Sequence, residues 1–266
     1  MKPLSQMPLE TARSVRVVLT DIDDTITTEG ILTAAAYGAL ERLHRAGFLV
    51  IPVTGRPAGW CDHIARMWPV DAVVGENGAF YFRYDRERKT MEQRFWASPE
   101  ELKRNRAKLD AIETEVLTSV PGSGLASDQA YRMADLAIDF CEDVPALPEA
   151  EVDRIVSIFE RAGAQAKVSS IHVNGWFGDY NKLSMAKTLL SDVFGMDWEQ
   201  ARKTVIYAGD SPNDEPMFAA FPLSVGVANI QAFAHRLTST PAYLANGHSG
   251  EGFVELADLL LRARSA

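Results

Sequence analysis

The chain has 266 residues, 47% of them hydrophobic and 24% charged. That composition is ordinary for a soluble globular protein and excludes a disordered chain, a collagen-like chain and a disulfide miniprotein. Lys plus Arg is 27 and Asp plus Glu is 36, a formal charge of -9, which argues against nucleic acid or an anionic membrane as partner while leaving an anionic small molecule open.

The N-terminal segment, Met1 to Ser14, has no apolar run after Lys2, so no signal peptide is expected. Val15–Thr20 is a short apolar run ending in acid and reads as a buried strand. Thr33 opens a helical pattern that runs to Arg45, with Gly47 placed to end it. Phe48–Val53 is a second buried strand, Pro57–Met67 a helix and Val70–Val74 a third strand. These apolar runs are far too short to span a bilayer. Strand, helix, strand, helix, strand is the signature of a parallel sheet.

The rhythm then changes. Ala79–Tyr84 and Met91–Trp96 flank the charged turn Asp85–Lys89 and predict a hairpin. Ser98 before Pro99 opens a helix. A Gly/Ser-rich loop covers 121–128. Met133–Phe140 reads as a strand, Pro148–Ala162 as an amphipathic helix, and Ala166–Val173 as one further strand. This stretch has the character of a separate α+β module.

The first rhythm resumes with a helix at Lys182–Phe194 ending at Gly195, strands at Thr204–Ala208 and Leu223–Val227 around a helix at Pro212–Ala220, a short strand at Tyr243–Leu244 and a last helix at Gly252–Arg262. The expected fold class is therefore α/β: a Rossmann-like parallel sheet core, residues 1–82 and 173–266, with an inserted α+β cap domain, residues 83–172. Cys61 and Cys141 lie in no CxxC pair and near no histidine at zinc spacing. Two free thiols fit a reducing, cytoplasmic location.

Ligands of open parallel sheets bind beyond the carboxyl ends of the strands. The first strand is followed there by Asp21-Ile22-Asp23-Asp24-Thr25, the second by Thr54-Gly55-Arg56, and the strand after the insert by Gly209-Asp210-Ser211-Pro212-Asn213-Asp214. Lys182 stands at a helix start facing the same edge; Lys187, the competing lysine, is mid-helix. Asp21, Asp23, Asp210 and Asp214 would repel one another without a cation. Mg²⁺ takes oxygen ligands and commonly keeps a phosphate oxygen in its shell, which implies a phosphate ester as substrate.

DxDxT, Thr-Gly-Arg, a Lys and GDxxxD, in that order from Asp21 to Asp214, resemble the haloacid dehalogenase-like (HAD) superfamily. Glu76-Asn77-Gly78-Ala79 and the position of the insert are similar to its type-2 cap, B-subtype branch, which contains sucrose-, trehalose- and mannosyl-phosphoglycerate phosphatases and phosphomannomutases. The resemblance implies a phosphatase in which Asp21 is the nucleophile and forms an aspartyl-phosphate, and Asp23 is the acid and base. It implies that Thr54 and Lys182 bind phosphoryl oxygens, and that Asp21, the backbone carbonyl of Asp23, and Asp210 hold Mg²⁺. Asp214, with Asn213, would support the metal or Lys182. Two positions depart from the pattern: Asp24 and Leu183 stand where glycine is common. A phosphomutase uses the same motifs, and a sugar-phosphate-binding module without turnover would lack a use for Asp23.

The cap is expected to choose the substrate. Ser170, His172 and Asn174 would share one polar strand face, with Trp176 beside it to stack on a sugar; Arg56 is a further candidate contact. The implied partner is a small-molecule phosphate ester, with no nucleic acid and no membrane, and nothing in the pattern fixes an oligomeric state.

Overall fold

The computed structural model describes residues 1–265. The chain opens with a two-residue strand, β1 (Lys2–Pro3), and a short helix, α1 (Leu9–Ser14). Both are too short to show a sequence period. The first βα units follow: β2 (Val17–Thr20), α2 (Ala34–Arg45), β3 (Leu49–Pro52), α3 (Ala58–Met67) and β4 (Val73–Gly75). Thr33 caps α2 by accepting the Ala36 N–H at 3.3 Å.

The predicted hairpin forms as β5 (Phe80–Asp85) and β6 (Thr90–Phe95). It pairs antiparallel with β4, and β4 is bridged to the first sheet through Val53 and Val74. The hairpin therefore hangs on the core. Then comes α4 (Pro99–Ser119), opened by a reciprocal cap in which the Ser98 hydroxyl and Glu101 carboxylate each accept the other residue's N–H. β7 (Gly124–Leu125), β8 (Leu136–Asp139), α5 (Glu149–Arg161), β9 (Gln165–Val168) and β10 (His172–Trp176) complete the inserted module.

The single strand expected over 166–173 is a hairpin instead. Ser169 N–H donates to the His172 carbonyl at 2.8 Å, and the Ser169 hydroxyl accepts the His172 N–H at 3.0 Å. This turn reverses the chain between β9 and β10, which pair antiparallel. Ser170 consequently sits in the turn and not on the face that His172 and Asn174 share. The module's sheet runs β7-β8-β10-β9. Leu109, Val116, Ile138, Ile155, Phe159 and Val173 form its own apolar cluster. The expected boundaries at 83 and 173 fall inside β5 and β10.

The chain returns to the core through α6 (Lys182–Phe194), α7 (Trp198–Thr204), β11 (Val205–Gly209), α8 (Glu215–Ala220), β12 (Ser224–Gly226), β13 (Tyr243–Leu244) and α9 (Ser249–Ser265). The core sheet runs β1-β13-β12-β11-β2-β3, all parallel. Its central strands are buried on both faces: in β2, Val18 packs into one apolar cluster, Val17 and Leu19 into the other. Because β2 and β11 are neighbours in register, Thr20 against Ala208, their carboxyl ends deliver Asp21 and Asp210 side by side.

Candidate active site

Asp21 leaves β2 with its N–H bonded to the Ala208 carbonyl at 2.9 Å. Its Oδ1 accepts the Ile22 N–H at 2.8 Å, and its Oδ2 lies 3.0 Å from Lys182 Nζ. Lys182, the first residue of α6, is 1% exposed. Its ammonium also reaches Asp214 Oδ1 at 2.7 Å. Asp214 is itself held in place: Tyr207 donates its hydroxyl to Oδ1, and the N–H groups of Asp210 and Ser211 donate to Oδ2 at 2.9 and 3.3 Å. Gly209 lets Asp214 come this close, since a Cβ there would lie 2.3 Å from Asp214 Oδ2. Asp210 takes the Thr25 hydroxyl at 3.1 Å and Asn229 Nδ2 at 3.3 Å.

Asp21, Asp210 and Asp214 are all buried, and one carboxylate oxygen from each lies within 4.8 Å of the others. Burial raises the Asp21 carboxyl above its ordinary range; Lys182 opposes the rise and Asp214 and Asp23 add to it. Asp210 is raised by burial and then by Asp21 and Asp214. For Lys182 burial opposes the charge, and the two carboxylates overcome it, so the ammonium is held more strongly than an ordinary lysine. One ammonium against three buried carboxylates leaves a deficit of positive charge. Hard oxygen donors so arranged suit a hard cation.

The Asp23 carboxylate stands apart from this group. Arg56 draws it away, with Nε at 2.9 Å from Oδ1. Arg56 also reaches across to the cap, to Asp128 at 3.2 Å and Glu142 at 2.6 Å. Burial opposes ionisation of Glu142, but His172 and Arg56 pull its pKa down to about 2; His172 Nε2 is 2.9 Å from its Oε2. The ligand assigned to Asp23 by resemblance is its backbone carbonyl, which no hydrogen bond among the described residues occupies. At Asp24, where glycine is common, φ is 51°, so the backbone conformation is the one that glycine adopts most readily.

Thr54 follows β3, fully buried, its hydroxyl accepting the Arg56 N–H at 3.0 Å. Asn213 donates to Asn77 at 3.2 Å. From the cap, Asn174 donates to Asp135 at 2.9 Å, and Arg132 is fixed between Asp128, Asp135 and the Gly55 carbonyl. One cavity of about 10 Å³ is lined by Asp21, Asp23, Arg56, His172, Asn174 and Asn213 together with Gly55, Arg132, Ser169 and Ile171. The structure thus brings the sequence-derived candidates to one place. Lys187 is elsewhere, over the Trp198 ring at 3.8 Å.

Trp176 is a correction. It is 1% exposed and stacks on Tyr180 with centroids 5.5 Å apart, its indole N–H bonded to the Tyr180 carbonyl. It is a core residue with no face left for a sugar. Sequence reasoning also passed over Tyr207, Asn229 and Glu142, and gave Glu76 no role beyond its place in the Glu76-Asn77-Gly78-Ala79 stretch. Of the first three, Tyr207 alone carried a signal: it sits two positions before Gly209 in a strand otherwise aliphatic or small.

The family model described as haloacid dehalogenase-like hydrolase matches residues 18–109. The fold matches solved structures over nearly the whole chain. The C-terminal domain of trehalose-6-phosphate phosphatase from C. albicans aligns at a TM-score of 0.71 and 16% identity, covering 95% of this chain and 94% of that one. Residues 18–109 are thus similar to haloacid dehalogenase-like hydrolases, and nearly the whole chain shares the fold of this structure. Sucrose-phosphatase from Synechocystis, solved with sucrose and phosphate, aligns at 0.62 and 16%, covering 93% and 98%. A subclass IIB sugar phosphatase of the same superfamily aligns at 0.57 and 14%, covering 87% and 93%. No curated protein matches the chain. No helix among the described residues is long and apolar enough to cross a membrane.

Proposed function

We propose that the protein is a Mg²⁺-dependent phosphomonoester hydrolase acting on a sugar phosphate through an aspartyl-phosphate on Asp21. The observation that carries this reading is the Lys182 ammonium shared between Asp21 and Asp214, beside Asp210, at the adjoining ends of β2 and β11. The three carboxylates fit Mg²⁺, with Asp21, Asp210 and the Asp23 carbonyl as ligands and Asp214 supporting. When bound, the ion would offset charge on the phosphoryl oxygens and on Asp21.

Asp21 attacks phosphorus, and the bond from phosphorus to the alcohol oxygen breaks. Asp23 gives that oxygen its proton. Asp23 then takes a proton from water, whose oxygen attacks phosphorus and releases Asp21 and inorganic phosphate. Lys182 and Thr54 hold the phosphoryl oxygens, with Asn213 beside them. The separation of roles has a physical basis: Arg56 keeps Asp23 out of the carboxylate group and on the cap side, where the alcohol would leave. The polar face of β10 and the sugar-phosphatase neighbours support a sugar as that alcohol. Arg56, His172 and Asn174 are its proposed contacts. The pairing of β10 supports a cap of about residues 99–176, closing to limit water. A cytoplasmic location belongs to the same reading, with Cys61 and Cys141 both free.

The test is phosphate release from an aryl phosphate, hexose 6-phosphates and disaccharide phosphates, with Mg²⁺ and with a chelator. Release from a sugar phosphate that the chelator stops is expected. Asp21→Asn should lose at least a thousandfold in kcat, since it removes the nucleophile, while its circular dichroism is unchanged. An undiminished rate in that variant sinks the nucleophile assignment. An isomerised ester in place of free phosphate would make the protein a mutase.

A further inference from the structure

Next to two residues that line the cavity beside Asp21, Gly55 and Asn213, lies a hydrogen-bond donor that the phosphoryl chemistry does not use. Behind Gly55, which lines the cavity, sits Asn77, 2% exposed. Its orientation is fixed by a chain of bonds: the Ser211 hydroxyl donates to Asn213 Oδ1 at 3.0 Å, and Asn213 Nδ2 donates to Asn77 Oδ1 at 3.2 Å. Turning the Asn77 amide over would set donor against donor. Its Nδ2 therefore points the other way, and it has no partner among the described residues. Buried polar groups are nearly always bonded, so an orphan beside a cavity marks the place of an acceptor that arrives from outside.

Both amides approach the backbone at Gly55 closely. A Cβ there would lie 3.1 Å from Asn77 Nδ2, 3.5 Å from its Oδ1 and 3.6 Å from Asn174 Oδ1, so a side chain at 55 would crowd the donor and the acceptor together. Gly55 is not among the residues at positive φ, so the backbone does not call for glycine there; the space does. Asn174 Nδ2 is tied to Asp135 Oδ2 at 2.9 Å, which leaves Oδ1 as the atom offered to that space. A donor on the core and an acceptor on the cap thus face each other across Gly55.

We infer that Asn77 and Asn174, with Gly55 between them, form a subsite that reads one hydroxyl of the substrate's sugar. The hydroxyl oxygen accepts from Asn77 Nδ2, and its hydrogen goes to Asn174 Oδ1. A phosphate oxygen does not fit this pair, because it would meet the Asn174 oxygen with no hydrogen to give. Asn77 belongs to the core and Asn174 to β10, so the hydroxyl is read only when the cap is closed, which links substrate choice to closure. The inference rests on the phosphatase reading and adds to it the residues that distinguish a polyhydroxylated ester from an apolar one.

The experiment measures kcat/KM of the whole chain with Mg²⁺ for para-nitrophenyl phosphate, glucose 6-phosphate, trehalose 6-phosphate and sucrose 6-phosphate. It compares the wild type with Asn77→Gly, which keeps the φ of 55° accessible, and with Gly55→Ala, which fills the space. In both variants the ratio of the best sugar ester to the aryl ester should fall about tenfold, mainly through KM. One monodeoxy analogue of that sugar ester should lose about the same factor with the wild type and nothing further with Asn77→Gly. An unchanged ratio in both variants, or a wild type that prefers the aryl ester to every sugar ester, overturns the subsite and leaves the hydrolase standing. No release from any ester by the wild type overturns both.

Discussion

Lys182 is buried, yet its ammonium lies 3.0 Å from Asp21 and 2.7 Å from Asp214. A single lysine inside a protein is costly unless its charge is matched. Here the converse also holds, because the carboxylates depend on it. Removing one partner of a buried ion pair leaves the other charge in low dielectric, which costs about 3–5 kcal/mol. Lys182→Met, similar in length and uncharged, should therefore lower the unfolding free energy by about that much in urea titrations at pH 8 with a chelator present. The loss should be smaller at pH 5, where Asp21 and Asp210, both raised by burial, take up protons. Added Mg²⁺ should restore part of it. A loss below about 1 kcal/mol at pH 8 would mean that solvent reaches the carboxylates and screens them. The same reasoning shows why the site residues were readable in advance. Burying acids at adjoining strand ends demands compensation, and Lys182 is the cation that α6 can supply at its first turn.

The strands of the core were legible because a parallel sheet buried on both faces needs continuous apolar runs, and Val17–Thr20 and Val205–Gly209 supply them. The helices were legible from caps such as Thr33 and Ser98. Two features were not. The turn between β9 and β10 contains no glycine or proline, and its reversal depends on the Ser169 hydroxyl, which the pattern of apolar residues does not reveal. Trp176 looked free because alternation says which side of a strand a residue takes, not what already fills that side. The loop residue Tyr180 fills it. Trp176→Phe should accordingly act on stability alone. It loses the indole N–H bond of 3.1 Å to Tyr180 and some packing, for a cost of about 1–2 kcal/mol, with KM for the preferred sugar ester changed less than twofold. A tenfold rise in KM would return Trp176 to the substrate.

Two buried core side chains, Arg56 and Glu76, join core to cap, alongside Arg132 of the cap, which donates to the Gly55 carbonyl. Arg56 bonds Asp23 on one side and Asp128 and Glu142 on the other. Glu76 accepts N–H groups from Ala58 in α3 and from Met133, Ala134 and Asp135 leading into β8, at 2.6–3.2 Å. Any parting of cap from core must break these contacts. Glu76 makes that opening sensitive to pH. Burial is the main cause that pushes its carboxyl up to about 7, with Asp135 adding and Arg132 and the bonded N–H groups opposing. A folded pKa above the unfolded value means that the folded state binds the proton more tightly. The stability this group contributes is complete below about 4.5 and is lost as pH rises through about 7. The melting temperature of the chelator-treated protein should therefore fall between pH 5 and pH 8. Other raised acids, Asp135 among them, fall in the same window, so the slope of the wild type alone does not isolate Glu76. Glu76→Gln keeps one acceptor oxygen and cannot ionise. It should be the less stable protein at pH 5, where it lacks acceptor capacity for the four N–H groups, and the two melting curves should converge by pH 8 as the wild type takes on its buried charge. Calorimetry at pH 5, 6, 7 and 8 on both proteins decides the matter. Parallel curves would show that Glu76 holds the same charge folded and unfolded, and that the link between core and cap is indifferent to pH.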